Sequence, residues 1–159
     1  MRTLIVVESY FGNTTEVART LAEHLEPARV VPVAEAPTEI PIDVDLLLVG
    51  APTHDFSLPS ANTRKQALDK GGHGQGPGVR EWIASLTPRD LPVHTFDTSH
   101  AKRLSGSAAR AAAKALKRRG FRPTRGPSFH VHGRSGPLEE GQLRRVQEWA
   151  AALVDGHRP

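Results

Sequence analysis

The chain contains no cysteine. That absence excludes disulfides, thiol nucleophiles, thiolate-held iron–sulfur clusters and cysteine-type zinc sites together. Aromatic residues make up 5% of the sequence, with one Tyr, which leaves little from which to build a base-stacking platform. Long apolar runs are also missing. The opening MRTLIVVES has four apolar residues in a row, too few for a signal-peptide core or a membrane span, so a cytoplasmic protein with no membrane partner is the expectation. Acidic residues are absent from one stretch. Residues 98–138 hold 10 Lys/Arg and no Asp or Glu, whereas residues 1–97 hold 8 Lys/Arg against 13 Asp/Glu. The net charge of +4 thus comes from a single basic segment. Such a segment can face an acidic partner or nucleic acid, or be a solvated basic helix. The lack of interleaved aromatics argues against nucleic acid.

What is present is an alternation. A length of 159 residues corresponds to about one domain, large enough to need no staple. Residues 4–7 (LIVV) read as a strand buried on both faces. Residues 13–25 place Val17, Ala18, Leu21, Ala22 and Leu25 on one helical stripe that Pro27 ends. Residues 28–33 form a second strand. Residues 34–44, with two prolines, read as a bare loop. A third strand covers 46–49 and meets Gly50-Ala51-Pro52. Residues 57–78 read as irregular, with one short helix at 62–70 and a flexible GGHGQGPG run. That run follows no strand and lacks the dinucleotide-binding spacing. A helix over 79–86, a strand over 92–96, an Ala-rich basic helix over 105–119 ended by Gly120, a strand over 129–132 and a helix over 138–153 complete the chain. Five alternations predict right-handed crossovers and a doubly wound parallel sheet of order 2-1-3-4-5, a single α/β domain over 1–159.

In such a sheet, ligands bind outside the carboxyl ends of the strands, near the first and third. The loops there are 9–14, 50–59 and 97–105. The first opens a helix, whose free N–H groups and positive dipole end suit an anion. It offers Ser9, Asn13, Thr14 and Thr15 as short polar side chains, Gly12 for the turn, and no Lys or Arg. An ordinary capped βα turn has the same composition.

The stretch Ser9-Tyr10-Phe11-Gly12-Asn13-Thr14, continued by Glu16-Val17-Ala18, resembles the phosphate loop of the flavodoxin family, which runs Ser/Thr-x-Thr-Gly-x-Thr. Val49-Gly50-Ala51-Pro52-Thr53 resembles the loop after that family's third strand, and Val93–Phe96 followed by Asp97 the strand before its last flavin loop. The FDTS, SGSA and SGPL segments are similar to flavodoxin-domain proteins of high-GC actinobacteria. The resemblance implies the flavodoxin-like fold and a bound flavin mononucleotide (FMN). Its phosphate would lie on Ser9, Tyr10, Phe11, Gly12, Asn13 and Thr14. Its ring would lie between Pro52, Thr53, His54, Asp55 and Phe56 on one side and Asp97, Thr98, Ser99 and His100 on the other. Phe11 stands where the family carries a phosphate-binding Thr, and no Trp or Tyr occupies the two ring loops; His54, Phe56 and His100 are the stacking candidates. Asp97 reads either as a charge beside the ring edge or as a cap of the following turn.

The flavin would carry the redox chemistry. Three functions stay open: electron transfer with a partner protein acidic at its docking face, a quinone or porphyrinogen oxidoreductase, or a binding module that has lost tight flavin. The 57–78 segment discriminates between the first two, because an enzyme uses such a segment to shape a pocket. Two smaller constellations are weighed against this. His130 and His132 share a strand face with metal-ligand spacing, and His54-Asp55 could exchange a proton.

Overall fold

The structure is a computed structural model that describes residues 1–101 and 106–158. Five parallel strands form one sheet of order β2-β1-β3-β4-β5, with β1 at Thr3–Val7, β2 at Ala28–Pro32, β3 at Leu46–Pro52, β4 at Val93–Ser99 and β5 at Pro123–His130. Strand β1 is buried along its whole length, as its unbroken apolar run requires for a sheet covered on both sides. Alternation sorts its side chains into two layers. Ile5 and Val7, with Leu46, Leu48, Phe96 and Phe129, pack under helices α1 (Asn13–His24) and α5 (Gln142–Gly156). Leu4 and Val6, with Leu47, Val49 and Val93, pack under α3 (Val79–Ser85) and α4 (Ala108–Arg118).

The crossover from β2 to β3 carries one 3₁₀ turn, Val33–Glu35, and no α-helix. Side chains hold its carbonyls in place of a helix. The Trp82 indole N–H donates to Pro37 O at 3.0 Å, and the Arg89 guanidinium donates to the carbonyls of Pro41, Ile42 and Val44 at 2.6–3.0 Å. The buried Ile40 and Val44 anchor this loop to the core, which explains how a crossover can dispense with a helix.

Several boundaries differ from the sequence reading. Strand β4 runs on to Ser99, and β5 begins at Pro123 and ends at His130. His132 therefore lies beyond the strand, and the His130/His132 shared face does not form. Within residues 57–78 the short helix expected at 62–70 is present as α2, Ala61–Asp69, started by a capping box between Ser60 and Thr63. Helix α4 starts at Ala108, where the Ser107 hydroxyl accepts from the Arg110 N–H at 3.1 Å. The earlier part of its expected span, including Ser105, lies outside the described residues. The last helix starts at Gln142, since residues 138–141 form the turn before it. Among the described residues, no helix is long and apolar enough to cross a membrane.

Candidate functional site

Strands β1, β3 and β4 all deliver their carboxyl ends to one side, where the sheet order reverses. A cavity of about 520 Å³ opens there, a size typical of small-molecule sites. Three elements build its floor. The first is the turn from β1 into α1. The Ser9 Oγ accepts from the Gly12 N–H at 3.2 Å, and Gly12, at φ +91°, carries the chain through a left-handed bend into the helix. Among the described residues no side chain caps α1, so its first N–H groups, which have no intrahelical partner, are open to a ligand. The second is the end of β4: the hydroxyls of Thr14 and Thr98 pair at 2.8 Å and tie it to α1. The third is the turn after β3. His54 and Ser57 exchange backbone hydrogen bonds at 2.9 Å around Asp55 and Phe56, both at positive φ, 45° and 67°. Two non-glycine residues in that region are strained. The turn is braced by the Ser107 N–H, which donates to Phe56 O at 3.2 Å, and by Gly106, where any Cβ would collide with Phe56.

Of the residues singled out from sequence, Ser9, Tyr10, Phe11, Asn13, Thr14, Pro52, Thr53, His54, Asp55, Phe56, Thr98, Ser99 and His100 line this cavity. Gly12 lies outside the lining but shapes the turn. Asp97 does not line the cavity, and of its two readings the structure takes the cap. It is fully buried, and its Oδ2 accepts from the Ser107 hydroxyl at 2.6 Å and the Ala109 N–H at 2.9 Å. Because β4 continues to Ser99, Asp97 sits inside the strand, and alternation turns it away from Thr98 and the cavity toward α4. It caps the helix and does not face a ring edge. The sequence reading missed Thr63, Gln66, Ala67 and Lys70 from α2, and Val131, Gly133 and Arg134 after β5. The α2 set was recoverable, since i, i+3, i+4 and i+7 share a helix face. The β5 set had no local signal.

Beneath the cavity lies a buried polar cluster. Glu8 is 3% exposed. One carboxylate oxygen accepts from the Val79 N–H at 2.7 Å and the other from the Tyr10 hydroxyl. Arg64, paired with Glu81, flanks Gly78 together with Glu8. Burial pushes the Glu8 carboxyl above its usual value, and the Tyr10 and Val79 hydrogen bonds with the Arg64 charge pull it partly back. Burial, then the Glu8 hydrogen bond, push the Tyr10 phenol well up. The Tyr10 ring meets His54 at a centroid distance of 5.6 Å. His54 pairs through Nδ1 with the Thr63 hydroxyl at 3.0 Å, and burial holds it below the ordinary imidazole value. Both shifts favour the uncharged forms of the Tyr10 and His54 side chains in the cavity wall.

A carboxyl whose folded pKa is raised contributes stability below its unfolded value, about 4.5, that is lost as pH rises through the folded value. Glu8→Gln removes that titration. In urea unfolding followed across pH, the stability difference is expected to drift in the variant's favour as pH rises above about 4.5. Parallel curves for the two proteins would mean that Glu8 titrates as an exposed carboxylate does.

This arrangement is a doubly wound parallel α/β sheet with a ligand-sized cavity at its switch point. Against solved structures, it is the flavodoxin fold. The chain matches the oxidised flavodoxin 1 of Bacillus cereus over 100% of both chains, with a TM-score of 0.70 at 16% identity. It matches a flavodoxin from the domain Archaea over 98% of both chains, with a TM-score of 0.65 at 14% identity. It also matches rubredoxin oxygen:oxidoreductase from Desulfovibrio gigas over 98% of this chain and 35% of that one, with a TM-score of 0.61 at 16% identity. No protein-family model and no curated protein matches the chain. At these identities the likeness establishes the fold alone.

Proposed function

We propose that the cavity binds FMN and that the protein is a cytoplasmic, flavodoxin-like electron-transfer protein. The observation that carries this reading is the uncapped start of α1, opening into the cavity at the switch point of this fold. The donor set suits a phosphate monoester at that end. The Ser9 oxygen already accepts from Gly12, so its hydroxyl proton is free to donate. The Asn13 amide is committed to Ser135 O at 3.1 Å and the Thr14 hydroxyl to Thr98, while Phe11 has no hydroxyl to offer. Backbone N–H groups therefore supply most of the donors. Tyr10, His54, Phe56 and His100 line the remainder and give flat apolar area for a planar ring system. Bound flavin supplies the electron chemistry for which this cysteine-free chain has no thiol.

Ser9→Ala is expected to weaken FMN binding about tenfold, the scale of one lost hydrogen bond to a charged group. Flavin fluorescence quenching reads this directly; an unchanged affinity would move the phosphate off this loop.

The partner in electron transfer is proposed to be acidic. Helix α4 buries Ala108, Ala109, Ala112 and Leu116 and exposes Arg110, Lys114, Lys117 and Arg118, none of which forms an ion pair among the described residues. The helix begins at the cavity rim, where the Ala108 N–H donates to the Thr53 hydroxyl at 3.1 Å. A partner drawn to this stripe would dock beside the cavity. With the flavin reduced, Lys114→Glu plus Lys117→Glu is expected to slow electron transfer to ferricyanide several-fold at low salt, and salt is expected to erase the difference. Equal rates at low salt would make α4 a solvated face only.

One observation favours a second reading, an FMN-dependent oxidoreductase of quinone or porphyrinogen type. Residues 57–78 do shape the cavity, since one face of α2 forms a wall of it. Rapid turnover of a quinone with a nicotinamide donor would select this reading over simple electron carriage.

A further inference from the structure

The β1–α1 turn contains no cation, yet the fold places one on each side of it. On one side, helix α2 ends at Lys70, and the next residues fold over the turn. The His73 N–H donates to Tyr10 O at 2.7 Å. Glycines make this approach possible: a Cβ on Gly72 would lie 3.1 Å from Tyr10 Cβ, and one on Gly74 3.0 Å from its ring. On the other side, the segment after β5 is held by the Asn13 amide, which donates to Ser135 O at 3.1 Å. Gly136, at φ +85°, packs so closely that a Cβ would lie 2.7 Å from Asn13 Cγ. Arg134 is carried on this segment. Lys70 and Arg134 both line the cavity. Neither forms an ion pair among the described residues, and Asp55 is the one acid in the lining.

We propose that Lys70 and Arg134 read the charge of the cavity's ligand, selecting a phosphate dianion such as that of FMN over an uncharged flavin. They make good the hydroxyl missing at Phe11, which the short loop could not replace from within. Two cations held at the ends of stapled segments approach an anion from opposite sides, and Arg134 adds a planar fork that can engage two phosphate oxygens. The inference rests on the flavin reading and adds residues that the loop motif does not contain.

The test compares FMN with riboflavin, which has the same ring and no phosphate. Wild type, Lys70→Gln, Arg134→Gln and the double variant are titrated at low and high salt, with thermal melts of the apoproteins to establish folding; both side chains are exposed, so the melts should coincide. FMN affinity is expected to fall about tenfold for each substitution and about a hundredfold for both. Riboflavin affinity should be unaffected, and the salt dependence of FMN binding should disappear in the double variant. Arg134→Lys should retain part of the affinity. FMN binding unchanged in the double variant overturns this inference while leaving the flavin reading intact. An equal loss for FMN and riboflavin also overturns it, because the side chains would then shape the cavity and not read charge. Failure of both flavins to bind the wild type overturns the flavin reading and this inference with it.

Discussion

Gly50→Ala is expected to destabilise the protein by about 3 kcal/mol, the upper end for overpacking a core. Gly50 lies on β3, opposite Val7 of β1 and Phe96 of β4. A Cβ there would overlap three atoms of the Phe96 ring, the farthest at 2.7 Å. The ring has nowhere to go. It is 1% exposed, and its outer side meets Trp149 at a centroid distance of 5.9 Å, which in turn packs on Phe129 at 6.1 Å. The sheet uses the missing side chain to seat a large aromatic at its centre. Thermal unfolding should show a loss of about 6–12 °C for a chain of this size. Adding Phe96→Leu to Gly50→Ala should recover part of the loss, because the clash and its relief occupy the same space. A Gly50→Ala protein that melts with the wild type would show that Phe96 does not fill this position.

Asp97→Ala is expected to cost a similar amount, about 3 kcal/mol, and to leave the proposed flavin site almost untouched. The carboxylate accepts two hydrogen bonds, from the Ser107 hydroxyl and the Ala109 N–H. Hydrogen bonds to a charged group contribute about 1.5–3 kcal/mol each, and removing the acceptor leaves both donors at the start of α4 without it. Asp97→Asn keeps one acceptor oxygen and should lie between. Urea unfolding reads the stability, and FMN titration of the same protein reads the site, where a change below about threefold is expected for residues on opposite faces of a strand. Loss of flavin affinity with stability preserved would place the Asp97 carboxylate beside the ligand instead.

These two residues also show what was legible in the sequence. The sheet order followed from alternating apolar runs and helical stripes, because burial on both faces leaves a pattern that needs no long-range information. Strand ends did not follow. Asp97, Thr98 and Ser99 read as loop because they are polar, yet all are buried; partners from α1 and α4, distant in sequence, satisfy Thr98 and one oxygen of Asp97. Strand β5 begins PTRGPS, which carries no strand pattern, but an edge strand tolerates proline. The cavity lining from the β1–α1, β3 and β4 loops could be named because those loops follow from topology. Lys70 fell at the end of the short helix expected at 62–70, but nothing local showed that this helix turns a face to the cavity. Arg134 reaches the site through a contact between residues 122 apart in sequence, Asn13 and Ser135, which no local pattern encodes.

The central claim is that this cavity takes FMN, and titration of the flavin-free wild-type protein with FMN tests it most directly. Saturable quenching of flavin fluorescence is expected at one FMN per chain, with a dissociation constant of about 1 µM or below and a shifted visible absorption band as the ring enters the Tyr10–His54 wall. An FMN spectrum and fluorescence unchanged up to about 100 µM flavin, in protein whose melting curve establishes that it is folded, would contradict it.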